Sequence, residues 1–134
     1  MIYVDTSIIV RYLTGDDPER SPAAAAVIDT EDLRAVSIVS IVEVAHVLRS
    51  EYHHERRGIA SALLGLVERR NVVVPEFPKE HVLRWLDAWR DGAADSIGDA
   101  LVAASMFAHS AEAIVTFDRG FPAGDWAVLT GPSP

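Results

Sequence analysis

The chain opens on Ile2–Val4, a short β-branched and aromatic run that predicts a strand. Ser7 to Leu13 then reads as a helix, stopped by Gly15 and the polar loop DDPER. Ser21-Pro22 ahead of AAAAVI predicts a helix start, with serine as the cap and proline at the first helical position. Ala35–Val39 is a second strand candidate. From Ser40, apolar residues at Ile41, Val44, Ala45 and Leu48 keep helical spacing. Another helix covers about Glu55 to Arg69, with Ile59, Ala62, Leu63 and Leu66 on one face. Val72–Val74 reads as a third strand closed by Pro75, and Lys79–Arg90 as an amphipathic helix with Val82, Trp85, Leu86 and Trp89 on one side. The loop DGAAD leads into a helix from Ser96 to about His109. Ala113–Phe117 and Ala127–Leu129 complete the strands. Short apolar strands alternating with helices are the pattern of a parallel sheet covered on both faces. The expected fold is a three-layer α/β/α domain with a short, mainly parallel sheet of four or five strands.

The length of 134 residues fits a single domain, 1–134, with 130–134 as a C-terminal tail. A net charge of −8, with Lys79 as the only lysine, excludes a protein that coats nucleic acid by bulk positive charge. It does not exclude a nucleic-acid enzyme whose site is itself acidic. Cysteine is absent, so there is no disulfide, thiolate metal site or cysteine nucleophile, and a reducing cytoplasm fits. MIYVD has no secretory pattern, and ALVAASMFAHSA falls short of the ~18 residues needed to span a bilayer, so a cytoplasmic protein off the membrane is expected.

The acids change the picture. Asp5 directly follows the first strand and Asp118 the fourth. Glu43 is the only charge in SIVSIVEVAHVL, and Asp99 the only one in SIGDALVAASMFA. In an open α/β sheet, strand C-termini and the starts of the following helices share one edge, where ligands bind. Two strand-end acids and two first-turn acids could therefore meet in one crevice. Each also has a structural explanation. Ser40-x-x-Glu43 and Ser96-x-x-Asp99 match the capping box, Asp5-Thr6-Ser7 could be a turn and cap, and Asp118-Arg119-Gly120 a polar turn. Energetics favour a site for the set. Two carboxylates ~5 Å apart repel by roughly 3 kcal/mol at an effective dielectric near 20. A divalent cation removes that repulsion, and oxygen ligands without His or Cys suit Mg²⁺, with Mn²⁺ as a substitute. Such sites serve hydrolytic phosphoryl transfer.

DTSIIVRYLTGDDPE, the isolated acid in SIVEVAHVL, GDALVAA and TFDRGF, in this order and spacing, resemble a PIN-domain ribonuclease, and more narrowly the VapC-like toxins of type II toxin–antitoxin pairs. The resemblance runs from about Ile2 to Leu129. It implies an Mg²⁺-dependent endoribonuclease with Asp5, Glu43, Asp99 and Asp118 as the catalytic acids. Asp5, Asp99 and Asp118 would hold the metal, and Glu43 would position or deprotonate the attacking water. Thr6, Ser7 and Thr116 would orient those carboxylates; family members often carry Asn where this chain has Ser7. A homodimer and a VapB-like antitoxin partner, with RNA as substrate, are implied as well.

Asp95, four residues before Asp99, is a further candidate acid, expected on the same helix side. Arg11 and Arg119 are candidates for holding substrate phosphate. His46 reads as a partly buried packing residue, Trp85 and Trp89 as core or interface, and Arg56, Arg57, Arg69 and Arg70 as a solvated face. HHE lacks the spacing of a zinc protease, and no G-x-G-x-x-G, P-loop or G-x-S-x-G pattern occurs. Two competing functions are a phosphohydrolase using a strand-end Asp and a non-catalytic α/β module whose acids are caps.

Overall fold

A computed structural model describes residues 2–116 and 120–130 of the chain. Phe117, Asp118, Arg119 and 131–134 lie outside the described residues, and with them the expectations for Asp118 and Arg119. The chain groups into two compact units, Met1–Glu76 and Phe77–Pro134.

The first unit runs β1 (Ile2–Tyr3), α1 (Thr6–Thr14), α2 (Arg20–Ile28), β2 (Arg34–Ala35), α3 (Ile38–Ser50), α4 (Arg56–Val67) and β3 (Val72–Val73). Its sheet has the order β1-β2-β3 with both pairs parallel, Ile2 opposite Arg34 and Arg34 opposite Val72. Parallel neighbours require a crossover, and each here contains two helices. The strands are short, but the ladder continues past them: the Val4 amide donates to the Ala35 carbonyl at 2.9 Å and the Val36 amide to Val73 at 2.9 Å. Val4, Ala35, Val36 and Val72 are buried, as are Ile9, Ile28, Ile41, Val44, Leu48, Ile59, Leu63 and Leu66 from the helices. Burial of these side chains is what fixes the helices to the sheet.

The second unit contains α5 (Lys79–Arg90), α6 (Ile97–Ala108), β4 (Ala113–Thr116) and β5 (Ala127–Thr130). β4 and β5 are parallel, with Ala113 opposite Ala127. β5 therefore reaches Thr130, one residue into the expected tail. α5 buries Val82, Trp85, Leu86 and Trp89, the stripe its spacing predicts, and α6 buries Ala100, Leu101, Ala103, Ala104 and Met106. Small residues on α6 permit the two helices to pack closely. Trp126 lies against Trp85, ring centroids 5.7 Å apart, and its indole nitrogen donates to the Pro122 carbonyl at 3.1 Å. Gly124 is required there because a Cβ would run into the Trp126 ring.

Among the described residues, each predicted strand and helix forms and the strand pairs are parallel, the strands falling in a three-stranded and a two-stranded sheet. Three boundaries differ in ways that matter. The second strand is only Arg34–Ala35, because the helix expected from Ser40 begins at Ile38. α2 starts at Arg20 rather than after Ser21; Asp17 accepts the Glu19 and Arg20 amides at 3.0 and 2.9 Å and does the capping. α6 starts at Ile97 with Ser96 as its cap, so Asp95 precedes the helix and does not share a helix side with Asp99. Two expectations about surface residues also fail. His46 is exposed rather than packed. Arg69 is not solvated: it reaches the Tyr12 hydroxyl at 3.1 Å, the Asn71 side chain at 3.3 Å and Asp29 at 3.0 Å. Partners from α1 and from the residues flanking α2 and β3 hold it half-buried.

Candidate active site

Asp5 stands between β1 and α1. It occupies the cap position of α1, with φ −77° and ψ 159°, yet its side chain makes no capping hydrogen bond. Its Oδ2 instead accepts from the Ser7 hydroxyl at 3.1 Å. The turn-and-cap explanation of Asp5 therefore fails for the carboxylate, although the backbone position is that of a cap.

Glu43 loses its capping explanation too. The cap of α3 is Ser37, whose Oγ accepts the Val39 amide at 3.2 Å. Glu43 is thus the sixth residue of the helix rather than a first-turn acid, too far along to reach back to the cap amide. It points to the exposed side of a helix whose other face buries Ile41, Val44, Ala45 and Leu48. Its Oε2 accepts the Thr6 hydroxyl at 2.7 Å.

Thr6 and Ser7, the first two residues of α1, therefore each hold one of the two acids. A hydroxyl donor fixes a carboxylate's orientation without neutralising its charge. Asp5, Thr6, Ser7 and Glu43 line one pocket of about 570 Å³, floored by Ile8, Val10 and Val47. The start of α3 is anchored from further along the chain. Glu76 Oε1 accepts both the Ser37 hydroxyl at 2.7 Å and the Ile38 amide at 2.8 Å.

The same pocket carries basic and aromatic groups as well. Arg11, Arg20 and Tyr52 line it together with Glu51. Arg11 pairs with Asp16 at 3.2 Å. Asp16 also accepts from Thr14 and Tyr52, each at 2.7 Å. These donors, Thr14 first, then Tyr52 and Arg11, hold the Asp16 carboxyl down at about 2. The Asp16 hydrogen bond in turn raises the Arg11 guanidinium, and it raises the Tyr52 phenol as well. Sequence reading singled out Arg11 but missed Asp16, Tyr52 and Arg20. Asp16 lay in a stretch taken only as a polar loop, and no local spacing marks Tyr52, 36 residues away, as its partner.

In the second unit, Asp99 is the third residue of α6 and only partly exposed. Its amide donates to the Ser96 hydroxyl at 3.0 Å, so half of the predicted capping box is present. Asp95 is exposed in the loop before it, and Thr116 closes β4. Among the described residues, no three His, Cys, Asp or Glu side chains gather closely enough to hold a metal ion. The Asp5–Glu43 end nevertheless has the right donor chemistry for a hard divalent cation: carboxylate oxygens, held by hydroxyls, in an open pocket.

Comparison with known proteins bears on this arrangement. Neither the characterised proteins nor the solved structures yield a match to the chain. The family model of the PIN domain, however, matches residues 2–126, nearly the whole chain. The chain therefore belongs to the PIN-domain family, an α/β fold whose members are typically nucleases that use divalent metal ions.

Proposed function

We propose that this protein is an Mg²⁺-dependent endoribonuclease and the toxin of a VapBC-type pair, with Mn²⁺ able to replace Mg²⁺. One observation carries the reading. Asp5 sits where a helix cap belongs but does not cap, and it shares a pocket with Glu43, which is too deep in its helix to be a cap. Acids with only a structural role have no reason to be held this way by two consecutive hydroxyls.

Asp5, Asp99 and Asp118 are the residues we assign to the cation. When bound, it supplies compensation for the charge that develops on the phosphodiester and makes a water easier to deprotonate. Glu43 takes that proton. With Oε2 held by Thr6, the other oxygen, Oε1, remains to receive it. The water oxygen forms its bond to phosphorus, the bond to the leaving ribose oxygen breaks, and solvent returns a proton to that oxygen. Ser7 keeps Asp5 in one orientation, and we assign Thr116 the same kind of supporting role. The net charge of −8 supports a basic antitoxin segment as the natural inhibitor, and the family resemblance supports a homodimer and a cytoplasmic setting.

The test is a gel of total cellular RNA incubated with the purified protein and Mg²⁺ or Mn²⁺. Cutting should vanish with EDTA and in Asp5→Asn. The Asp5→Asn variant should melt at the same temperature or higher, since one like charge has gone. Cutting that survives both treatments sinks the metal-dependent reading. Expression that arrests growth only when Asp5 is intact would support the toxin role, and normal growth would remove it.

A further inference from the structure

The pocket that carries Asp5 and Glu43 is also lined by Arg11 and Arg20. Ser7 and Arg11 lie four residues apart on α1 and share a helix face, about 6 Å apart along the axis at 1.5 Å per residue.

Arg11 is held by Asp16 and Tyr52. Nη1 contacts Asp16 Oδ1 at 3.2 Å and donates to the Tyr52 hydroxyl at 3.2 Å. That hydroxyl donates in turn to Asp16 Oδ2 at 2.7 Å, and the Thr14 hydroxyl to Oδ1 at 2.7 Å. A simple charge pair needs neither the tyrosine nor the threonine, and a surface pair of this kind contributes little stability. Among the described residues, the hydrogen bonds of Arg11 are made by Nη1 alone. Nε and Nη2 remain, on a side chain that keeps 32% of its surface exposed at the pocket. A planar fork held by one nitrogen, with further donors presented to a pocket, is the geometry that receives a phosphodiester.

We propose that Arg11 binds a backbone phosphate of single-stranded RNA close to the bond that is cut, and that Asp16, Tyr52 and Thr14 are positioning residues that hold its guanidinium. This rests on the nuclease reading above and adds a substrate contact to the same pocket. Asp16 and Tyr52 act through Arg11.

The experiment measures binding of a fluorescein-labelled, single-stranded RNA 12-mer by anisotropy across a KCl series, in the Asp5→Asn background so that the probe survives. Arg11→Gln should weaken binding on the order of tenfold and flatten the plot of log affinity against log salt by about 0.7, the contribution of one single-strand phosphate contact. The double variant Arg11→Gln with Asp16→Asn keeps the net charge and should show the same flattening, so that overall charge is not the cause. Tyr52→Phe keeps both charges. In the cleaving protein it should raise KM with kcat unchanged, and in the binding assay it should leave the salt slope as it was.

An Arg11→Gln variant that melts lower but keeps the slope overturns the proposal, since the arginine then only ties α1 to the following loop. Wild-type protein that cuts RNA while Arg11→Gln keeps its slope removes this contact alone and leaves the nuclease reading standing. An Arg11-dependent slope in a chain that cuts nothing with Mg²⁺ or Mn²⁺ sinks the nuclease reading and retains the phosphate contact. No RNA binding at all ends both.

Discussion

Two consecutive hydroxyls do most of the positioning at the acid end of the pocket. Thr6 and Ser7 sit at the start of α1, where the chain leaves the sheet, and from there one reaches α3 and the other turns back to Asp5. Replacing Thr6 by Val preserves shape and removes the donor. RNA cleavage should fall by about 10- to 100-fold, the usual cost of losing such a support. Melting should barely move, because the bond is exposed. A Thr6→Val enzyme of full activity would mean that Glu43 needs no orientation. Asp16 makes a prediction in pH. Its carboxyl sits at about 2, below its ordinary 3.8, so the folded state prefers the ionised form. The stability it contributes is fully present above about pH 4 and is lost as pH falls through about 2. Asp16→Asn should flatten that part of an acid-unfolding curve, with solvent exposure keeping the effect small. An unchanged curve would mean that the three donors do not favour the charged form.

At the scale of elements, the start of α3 decides what Glu43 can be. If Ser37 is the cap, Ser37→Ala should cost about 1 kcal/mol and Ser40→Ala less than about 0.5, read from urea midpoints. The reverse order would restore the capping-box explanation of Glu43. This boundary also shows how far the sequence alone can be read. The positions and types of the elements are legible because burial imposes its period locally, most cleanly in Lys79–Arg90, where the predicted and observed bounds coincide. Around residue 38 local rules do not discriminate. Ser37 and Ser40 both suit a cap, and the β-branched residues Val36, Ile38 and Val39 suit a strand. The choice is supported by Glu76, 39 residues beyond Ser37, and no local pattern announces it. Arg69 was misread for the same reason: its partners Tyr12 and Asp29 belong to other elements. Asp5, Thr6, Ser7, Glu43 and Arg11 were legible as candidates, but the pairings among them required the packing of α1 on α3.

For the whole molecule, belonging to the PIN-domain family makes a metal-dependent nuclease the setting in which the proposed acids are tested together. If Asp5, Asp99 and Asp118 bind a cation in the folded state only, Mn²⁺ must stabilise the protein by mass action. The gain is about 2.7 kcal/mol when Mn²⁺ is at a hundred times its Kd. Melting temperature should therefore rise with Mn²⁺ at neutral pH, and the rise should fade in acid as the ligands protonate. A melting temperature indifferent to Mn²⁺ would refute the assignment of these residues to a metal, whatever their family. The bond from Glu76 to Ser37 has a consequence in time as well as in space. As the chain leaves the ribosome, Ser37 emerges long before Glu76 and must wait while α4 and β3 are made. Closing a segment of that length carries an entropic penalty that contacts inside α3 do nothing to lower. The helix can coil early, but the clamp on its first turn closes only when the last residue of the first unit arrives, so the helix that carries Glu43 receives its full support late in synthesis.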